Sequence, residues 1–109
     1  EVAGAIGAAI GSIHQQSSIT ITQPQEGVYR VHLPSGIKDF QILEDAIQRA
    51  KQEAKTLSEQ KALKAGATKS DTSLFEKIET AELKAGKSLF IEAVITAKTT
   101  GNIIQNPKV

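Results

Sequence analysis

Apolar and polar side chains alternate along four segments of the chain, and alternation of this kind predicts β-strands. The first two segments are residues 17–22 (SSITIT) and 28–33 (VYRVHL), with the turn-forming stretch QPQEG between them. The other two are residues 74–83 (LFEKIETAEL) and 88–100 (SLFIEAVITAKTT), which KAGK separates. Two alternating runs joined by a short turn are typical of a β-hairpin, so the pattern predicts two hairpins.

The alternation is most regular in residues 88–100 and assigns their side chains to two faces. Phe90 and Val94 fall on the face opposite the predicted core. We expect them either to be exposed singly or to be covered by another part of a longer chain or by a second subunit. The predicted core face of this strand consists of Leu89, Ile91, Ala93, Ile95 and Ala97.

Between the two hairpins the apolar spacing changes to three and four residues, which predicts one long helix. Asp39 is a candidate N-cap, although the helix start is open as far as Glu44. We expect the helix to run to about Ala65, with Gly66 as its C-terminal stop. Its apolar stripe is Leu43, Ile47, Ala50, Ala54 and Leu57.

Small and apolar residues fill positions 2–13 (VAGAIGAAIGSI) and predict a short Gly/Ala-rich helix. Gly4, Gly7 and Gly11 would share one face of that helix. Each interior glycine costs a helix about 1 kcal/mol relative to alanine, so three of them indicate that another backbone packs closely there. An alternative is an oligomer or membrane contact through this face, although twelve residues fall short of the roughly twenty that a membrane span needs.

The elements together predict an α+β fold with two layers. An antiparallel four-stranded sheet, built from two hairpins in the order ββαββ, would pack on the long helix, and the short Gly/Ala-rich helix would precede it. We expect residues 17–101 to form a small α+β domain and residues 102–109 to be a flexible tail.

Composition narrows the class of protein. The 109 residues carry 13 basic and 12 acidic side chains, for a net charge of +1, so the charge balance does not indicate a nucleic acid or an anionic membrane as partner. Cysteine is absent, which excludes disulfides and thiol chemistry and is compatible with the cytoplasm, where we expect the protein to be. Methionine is absent too, which leaves a processed start or a piece of a longer chain as alternatives.

Candidate catalytic residues are few. His32 lies on a predicted strand near Arg30, His14 follows the glycine-rich segment, and both are expected to have surface or helix-end roles. No pair of histidines has a metal-ligand spacing. Ser12 follows Gly11 without the remainder of a nucleophile elbow, and GAIGAAIG matches neither phosphate-binding glycine motif. We therefore assign no catalytic, cofactor-binding or metal-binding residue in this chain.

Three stretches of the sequence together resemble one family. They are the opening VAGAIGAAIG, the stretch LPSG…DF…LEDAI…A…EA ending in AGA, and the final IEAVITAKTTGN. In this order they are similar to the C-terminal end of the hydantoinase A/5-oxoprolinase family, over nearly the whole chain. Gly4 stands where that family usually has asparagine, which puts any role of that asparagine at the nucleotide pocket in doubt here.

The resemblance implies a parent protein that hydrolyses cyclic amides, such as hydantoins or 5-oxoproline, with ATP and a divalent metal. Residues 1–16 would belong to the end of the upstream ATPase-like body, and residues 17–101 would be the small, non-catalytic α+β C-terminal domain of that protein. This domain would pack on the upstream ATPase body of the same chain or on a second hydrolase subunit. None of the family's catalytic residues maps onto these positions. The alternative is a self-contained α+β interaction module without enzymatic activity.

Overall fold

The computed structural model describes the backbone of residues 10–104 and the side chains of residues 12–102. This part of the chain contains five β-strands and one α-helix, and a 3-10 turn at Lys84–Gly86 joins the last two strands. In chain order the elements are β1 (Ile10–Gln25), β2 (Val28–Leu33), β3 (Gly36–Phe40), α1 (Leu43–Lys64), β4 (Lys69–Glu82) and β5 (Ser88–Ile104).

All five strands join one antiparallel sheet in the order β3-β2-β1-β5-β4, and α1 packs on one of its faces. The α+β class is as predicted, but the four-stranded ββαββ arrangement is wrong because the sheet has a fifth strand, β3, before the helix. The first and last strands of the chain, β1 and β5, pair with each other at the centre of the sheet.

The prediction of Asp39 as the N-cap of the helix is wrong, because residues 36–40 form strand β3. Asp39 lies inside β3 opposite Arg30 and therefore does not cap a helix. The helix begins at Leu43, and Ile42 occupies the N-cap position without a side-chain hydrogen bond. A tight turn after Leu33 returns the chain along β2, so only five residues are needed to add this edge strand.

The predicted Gly/Ala-rich helix over residues 2–13 is wrong at its C-terminal end. Residues 10–13 lie in β1, where Ile10 pairs with Ile104 and Ile13 pairs with Gly101. Residues 2–9, with Gly4 and Gly7, lie outside the described part. Pairing with β5 supplies hydrogen-bond partners for this backbone, whereas a glycine-rich helix of twelve residues has little intrinsic stability.

The end of the chain also differs from the expected tail. Strand β5 continues through residues 102–104, while residues 105–109 lie outside the described part. Gly101 is tightly packed: a Cβ atom built there would lie 2.7 Å from the Cβ of Ala67 and 2.9 Å from the carbonyl oxygen of Lys69. This position therefore requires glycine for its close contact with the segment that enters β4.

The helix stripe predicted from the sequence forms the core against the sheet. Ala46, Ile47, Ala50 and Ala54 are buried, while Leu43 and Leu57 are partly buried at its margin. The sheet contributes the other buried members of this cluster, which are Ile19, Ile21, Val31, Ala93, Ile95 and Ala97.

The helix ends as predicted at a glycine. Gly66 has φ 104°, and its N–H donates to the carbonyl of Leu63. The N–H of Ala67 donates to the carbonyl of Ala62, which completes a Schellman motif. Ala62 and Ala67 then form a second small core cluster with Ile13 of β1.

An irregularity in β5 reverses part of the predicted side-chain pattern. Glu79 of β4 lies opposite Glu92, but the next residue, Thr80, lies opposite Phe90. Ile91 is therefore the extra residue of a β-bulge, and it shifts the alternation by one position. The prediction that Phe90 lies opposite the core face is wrong: its ring packs against the core cluster, and Ile91 is 49% exposed.

Candidate interaction surfaces

The face of the sheet opposite α1 carries mainly polar side chains. Strand pairing places on it the residues that alternate with the core positions of β1 and β5. Ser18 and Thr96 are direct neighbours there, and their hydroxyl oxygens lie 3.0 Å apart in a hydrogen bond. We call this surface the open face, because within residues 10–104 no second helix packs on it.

A bidentate ion pair joins β2 to β3 on the open face. The Arg30 Nε atom donates to Asp39 Oδ1 at 2.8 Å, and Nη2 donates to Oδ2 at 3.1 Å. These hydrogen bonds lower the pKa of Asp39 and raise that of Arg30, and the attraction between the two charges acts in the same direction. Two of the five N–H donors of the Arg30 guanidinium are therefore used by the Asp39 carboxylate.

The sequence did not reveal this ion pair, because Asp39 was assigned to the helix start. The sequence nevertheless contains a clue to this pair. If the chain turns back after Leu33, the antiparallel register brings residues near position 39 opposite Arg30. Opposite charges facing each other across two strands are then a recognisable pairing pattern. The pair is a structural link at the β3 edge of the sheet.

Both histidines are exposed in strands. The Nε2 atom of His32 lies 2.8 Å from the hydroxyl oxygen of Thr22 on the neighbouring strand, in agreement with the predicted surface role. His14 lies in β1 and not at a helix end. His14, Thr100 and Asp71 lie in one row across β1, β5 and β4. Because β5 lies between the other two strands, the backbones at His14 and Asp71 are about 10 Å apart. The two residues therefore do not form a catalytic dyad.

The small residues singled out in the sequence do not assemble a catalytic site. Ser12 is exposed near the start of β1, opposite Asn102, whereas a nucleophile elbow needs a sharp turn from a strand into a helix. Gly11 pairs with Ile103 in the same ladder and so is not part of a helical glycine face. Gly4 and Gly7 lie outside the described residues.

Apolar side chains are exposed at the end of the β4–β5 hairpin. Leu83 and Leu89 are each 48% exposed, and Ile91 is 49% exposed. We call these three residues the hairpin patch. Helix α1, at 22 residues, is about 33 Å long, while β5, at 17 residues, spans about 56 Å, so the strands extend beyond the cover that the helix provides. Exposed apolar clusters of this kind are typical of contact surfaces.

Strand β4 forms one edge of the sheet and is exposed along almost its whole length. On the helix side, Glu76 pairs with Lys51 at 3.1 Å. On the open face, the ammonium group of Lys98 lies 5.2 Å from the ring centre of Phe75, which is 51% exposed. The outer edge of β4 pairs with no other strand of residues 10–104.

Within the described residues, no group of three or more His, Asp or Glu side chains is arranged to hold a metal ion. The helix in this part of the chain, although 22 residues long, is not apolar enough to cross a membrane.

Comparison with known proteins adds no relative: no family model, no curated protein and no solved structure matches the chain.

Proposed function

We propose that the chain is the non-catalytic C-terminal domain of an ATP-dependent hydrolase of cyclic amides, of the hydantoin or 5-oxoproline type. The proposal rests on the sequence resemblance described above. Its two most specific stretches are the opening VAGAIGAAIG, which is not described before Ile10, and LPSG…DF…LEDAI…A…EA. The second corresponds to one continuous unit of the fold: the turn after β2, strand β3 and the first part of α1.

The observation that favours a packing role is the hairpin patch. Leu83, Leu89 and Ile91 lie at one end of the sheet and remain about half exposed after the chain has folded. Burying such apolar surface against another protein stabilises the contact by about 25 cal/mol for each Å² that is removed from water. In this proposal the hairpin patch contacts the upstream ATPase body of the same polypeptide or a second hydrolase subunit.

The ATP and divalent metal of the parent enzyme would be held elsewhere. The described residues provide no set of acidic and imidazole ligands for a divalent ion. They also contain neither a phosphate-binding glycine loop nor a free arginine at the open face, since Arg30 is bound to Asp39. No catalytic step is therefore assigned to this chain.

The first test is the coding sequence that precedes Glu1. The proposal expects several hundred upstream codons that specify an ATPase body. The second test is activity: the purified 109 residues should not hydrolyse hydantoin or 5-oxoproline with ATP, whereas the parent protein should. Turnover by the 109 residues alone, or an upstream region without an ATPase body, would overturn the proposal.

The packing role has its own test in the parent protein. Ile91→Asp should loosen the contact between this domain and the body, detected as faster amide exchange of the β4–β5 hairpin and easier proteolysis of the domain. Ile37→Asp is the matched control, because Ile37 is similarly exposed, at 58%, but lies on β3 at the other edge. Equal effects of the two substitutions would argue against the hairpin patch as the contact.

The second candidate function is that of a self-contained interaction module. It is favoured by a hydrophobic core that the described residues complete among themselves. Helix α1 and the sheet bury one continuous apolar cluster using residues 19–97 alone. A reading frame that starts near Glu1 would support this candidate over the first.

A further inference from the structure

The outer edge of β4 carries a charge pattern that is complementary to itself when reversed. Along the open face of β4 the charged residues are, in order, Lys69, Asp71, Lys77 and Glu79. Their signs are positive, negative, positive and negative. An antiparallel strand with the same sequence therefore presents the opposite sign at each of these positions when the two strands are centred on Leu74.

We propose that β4 pairs with β4 of a second copy of this chain, with Leu74 opposite Leu74, and so joins the two sheets into one of ten strands. In this register Lys69 faces the second copy's Glu79, and Asp71 faces the second copy's Lys77. The two-fold symmetry doubles each contact, which gives four opposite-charge pairs on the open face.

The register is specific, because neighbouring registers oppose like charges. A shift of two residues in one direction places Lys69 against Lys77 of the second copy. The same shift in the other direction places Asp71 against Glu79. A shift of one residue would place open-face side chains of one copy opposite helix-side side chains of the other, so the charged residues would no longer face each other.

The helix side of β4 is compatible with the same register. Leu74 is 39% exposed on that side and would contact Leu74 of the second copy across the symmetry axis. Glu76 would face the second copy's Thr72, whose hydroxyl already donates to Glu59 of its own helix at 3.0 Å. The residue directly opposite Glu76 is therefore neutral, and Glu76 keeps its ion pair with Lys51 of its own helix.

The outer edge of this 14-residue strand, which pairs with no other strand of residues 10–104, exposes a row of backbone donors and acceptors, and proteins commonly block such edges with charged side chains. A blocking function is best served by charges of one sign, which repel a second copy. The alternating signs on β4 attract one instead, in one register. The other edge strand, β3, has only five residues and offers a much shorter ladder.

The experiment is sedimentation equilibrium over a concentration series at low salt, with the wild-type chain and two charge-reversal variants. The wild type is expected to dimerise. Lys77→Glu places two negative charges opposite each other at both symmetric contacts, and Asp71→Lys places two positive charges there. Each variant alone should dimerise at least about tenfold more weakly.

Mixing the two variants separates the proposal from a folding defect. A heterodimer of Lys77→Glu with Asp71→Lys again has opposite charges at both contacts, so the mixture should associate as strongly as the wild type. The double variant with both substitutions in one chain should recover self-association for the same reason. Lys87→Glu makes an identical charge change outside the paired stretch and should leave dimerisation unaltered.

A wild-type chain that stays monomeric throughout the series would overturn the proposal. So would a dimer that forms equally well in Lys77→Glu, because it would use another surface. Variants that are monomeric alone and remain so when mixed would also contradict the proposed register. These outcomes do not depend on whether the parent protein is a hydrolase.

Discussion

The ring of Phe90 contacts the ring of Tyr29 edge to face, with centroids 5.5 Å apart and an angle of 84° between the ring planes. Tyr29 belongs to β2 and Phe90 to β5, two strands that are not neighbours in the sheet, so the contact reaches across β1. It exists because the bulge at Ile91 turns Phe90 toward the helix side. Together the two rings extend the core toward the hairpin end of the sheet.

Replacing Phe90 tests whether this contact stabilises the fold. Phe90→Ala should lower the free energy of unfolding by about 1–3 kcal/mol, less than for a fully buried ring because Phe90 is only partly covered. The measurement is equilibrium unfolding in urea. Ile91→Ala is the control and should cost less than about 1 kcal/mol. If Ile91→Ala lowered the free energy of unfolding more than Phe90→Ala, the side-chain alternation would not be shifted at the bulge.

Gly101 offers a second test, of the close contact between β5 and the segment that enters β4. The added methyl group of Gly101→Ala would lie 2.7 Å from the Cβ of Ala67, so either β5 or the segment that enters β4 must shift. We expect a loss of about 1–3 kcal/mol in thermal or urea unfolding. Thr100→Ala, at the exposed neighbouring position, should change stability much less. Equal stability of Gly101→Ala and the wild type would contradict this packing.

Two buried serines are predicted to respond in opposite directions to alanine. The hydroxyl of Ser58 donates to the carbonyl oxygen of Gln15 at 3.2 Å, so Ser58→Ala should destabilise the fold by about 1 kcal/mol. The hydroxyl of Ser17 is buried without a hydrogen-bond partner in residues 10–104, so Ser17→Ala should be neutral or stabilise by up to about 1 kcal/mol. Parallel urea titrations would measure both, and a destabilising Ser17→Ala would show that its hydroxyl has a partner.

The Arg30–Asp39 pair predicts a pH dependence with a defined sign. The pKa of Asp39 is lowered in the folded protein, so the stabilising effect of the pair is fully present above the ordinary aspartate pKa of about 3.9. It is lost as the pH falls through the lower pKa of the folded state. Carbon NMR of the Asp39 carboxyl should show a titration midpoint below the ordinary value.

Arg30→Gln supplies the control for this prediction. Without the guanidinium the midpoint of Asp39 should rise toward the ordinary value, because the hydrogen bonds that favour the carboxylate are gone. Unfolding curves of the wild type and of Asp39→Asn should also converge at acidic pH. An unchanged midpoint in Arg30→Gln would mean that the ion pair is not formed in solution.

Elements with a strong local pattern were predictable from the sequence. Strand β2 was predicted with the bounds it has, and its alternation places Val31 in the core as expected. The helix stripe around Ala50 and the stop at Gly66 were also correct. In these segments one apolar face or one special backbone angle decides the structure, and both are visible in a short stretch of sequence.

Elements that depend on distant partners were not predictable in this way. Residues 69–73 at the start of β4 lie outside the predicted strand 74–83, and residues 10–13 lie in the predicted helix, yet both segments pair with β5. Their own side chains show no regular alternation, so the partner strand supplies the reason for extended structure. The tertiary context of β5 therefore overrides the local preference.

The sequence by itself determined that the chain contains a long amphipathic helix between alternating segments, with an aliphatic core and almost balanced charge. Only the tertiary structure decided that β1 pairs with β5, that Ile91 forms a bulge and turns Phe90 inward, and that the self-complementary charges of β4 lie at an edge with which no other strand of residues 10–104 pairs. The physical reason is that periodicity is fixed by neighbouring residues, while strand order, register and bulges are fixed by hydrogen bonds and packing between residues far apart in the chain.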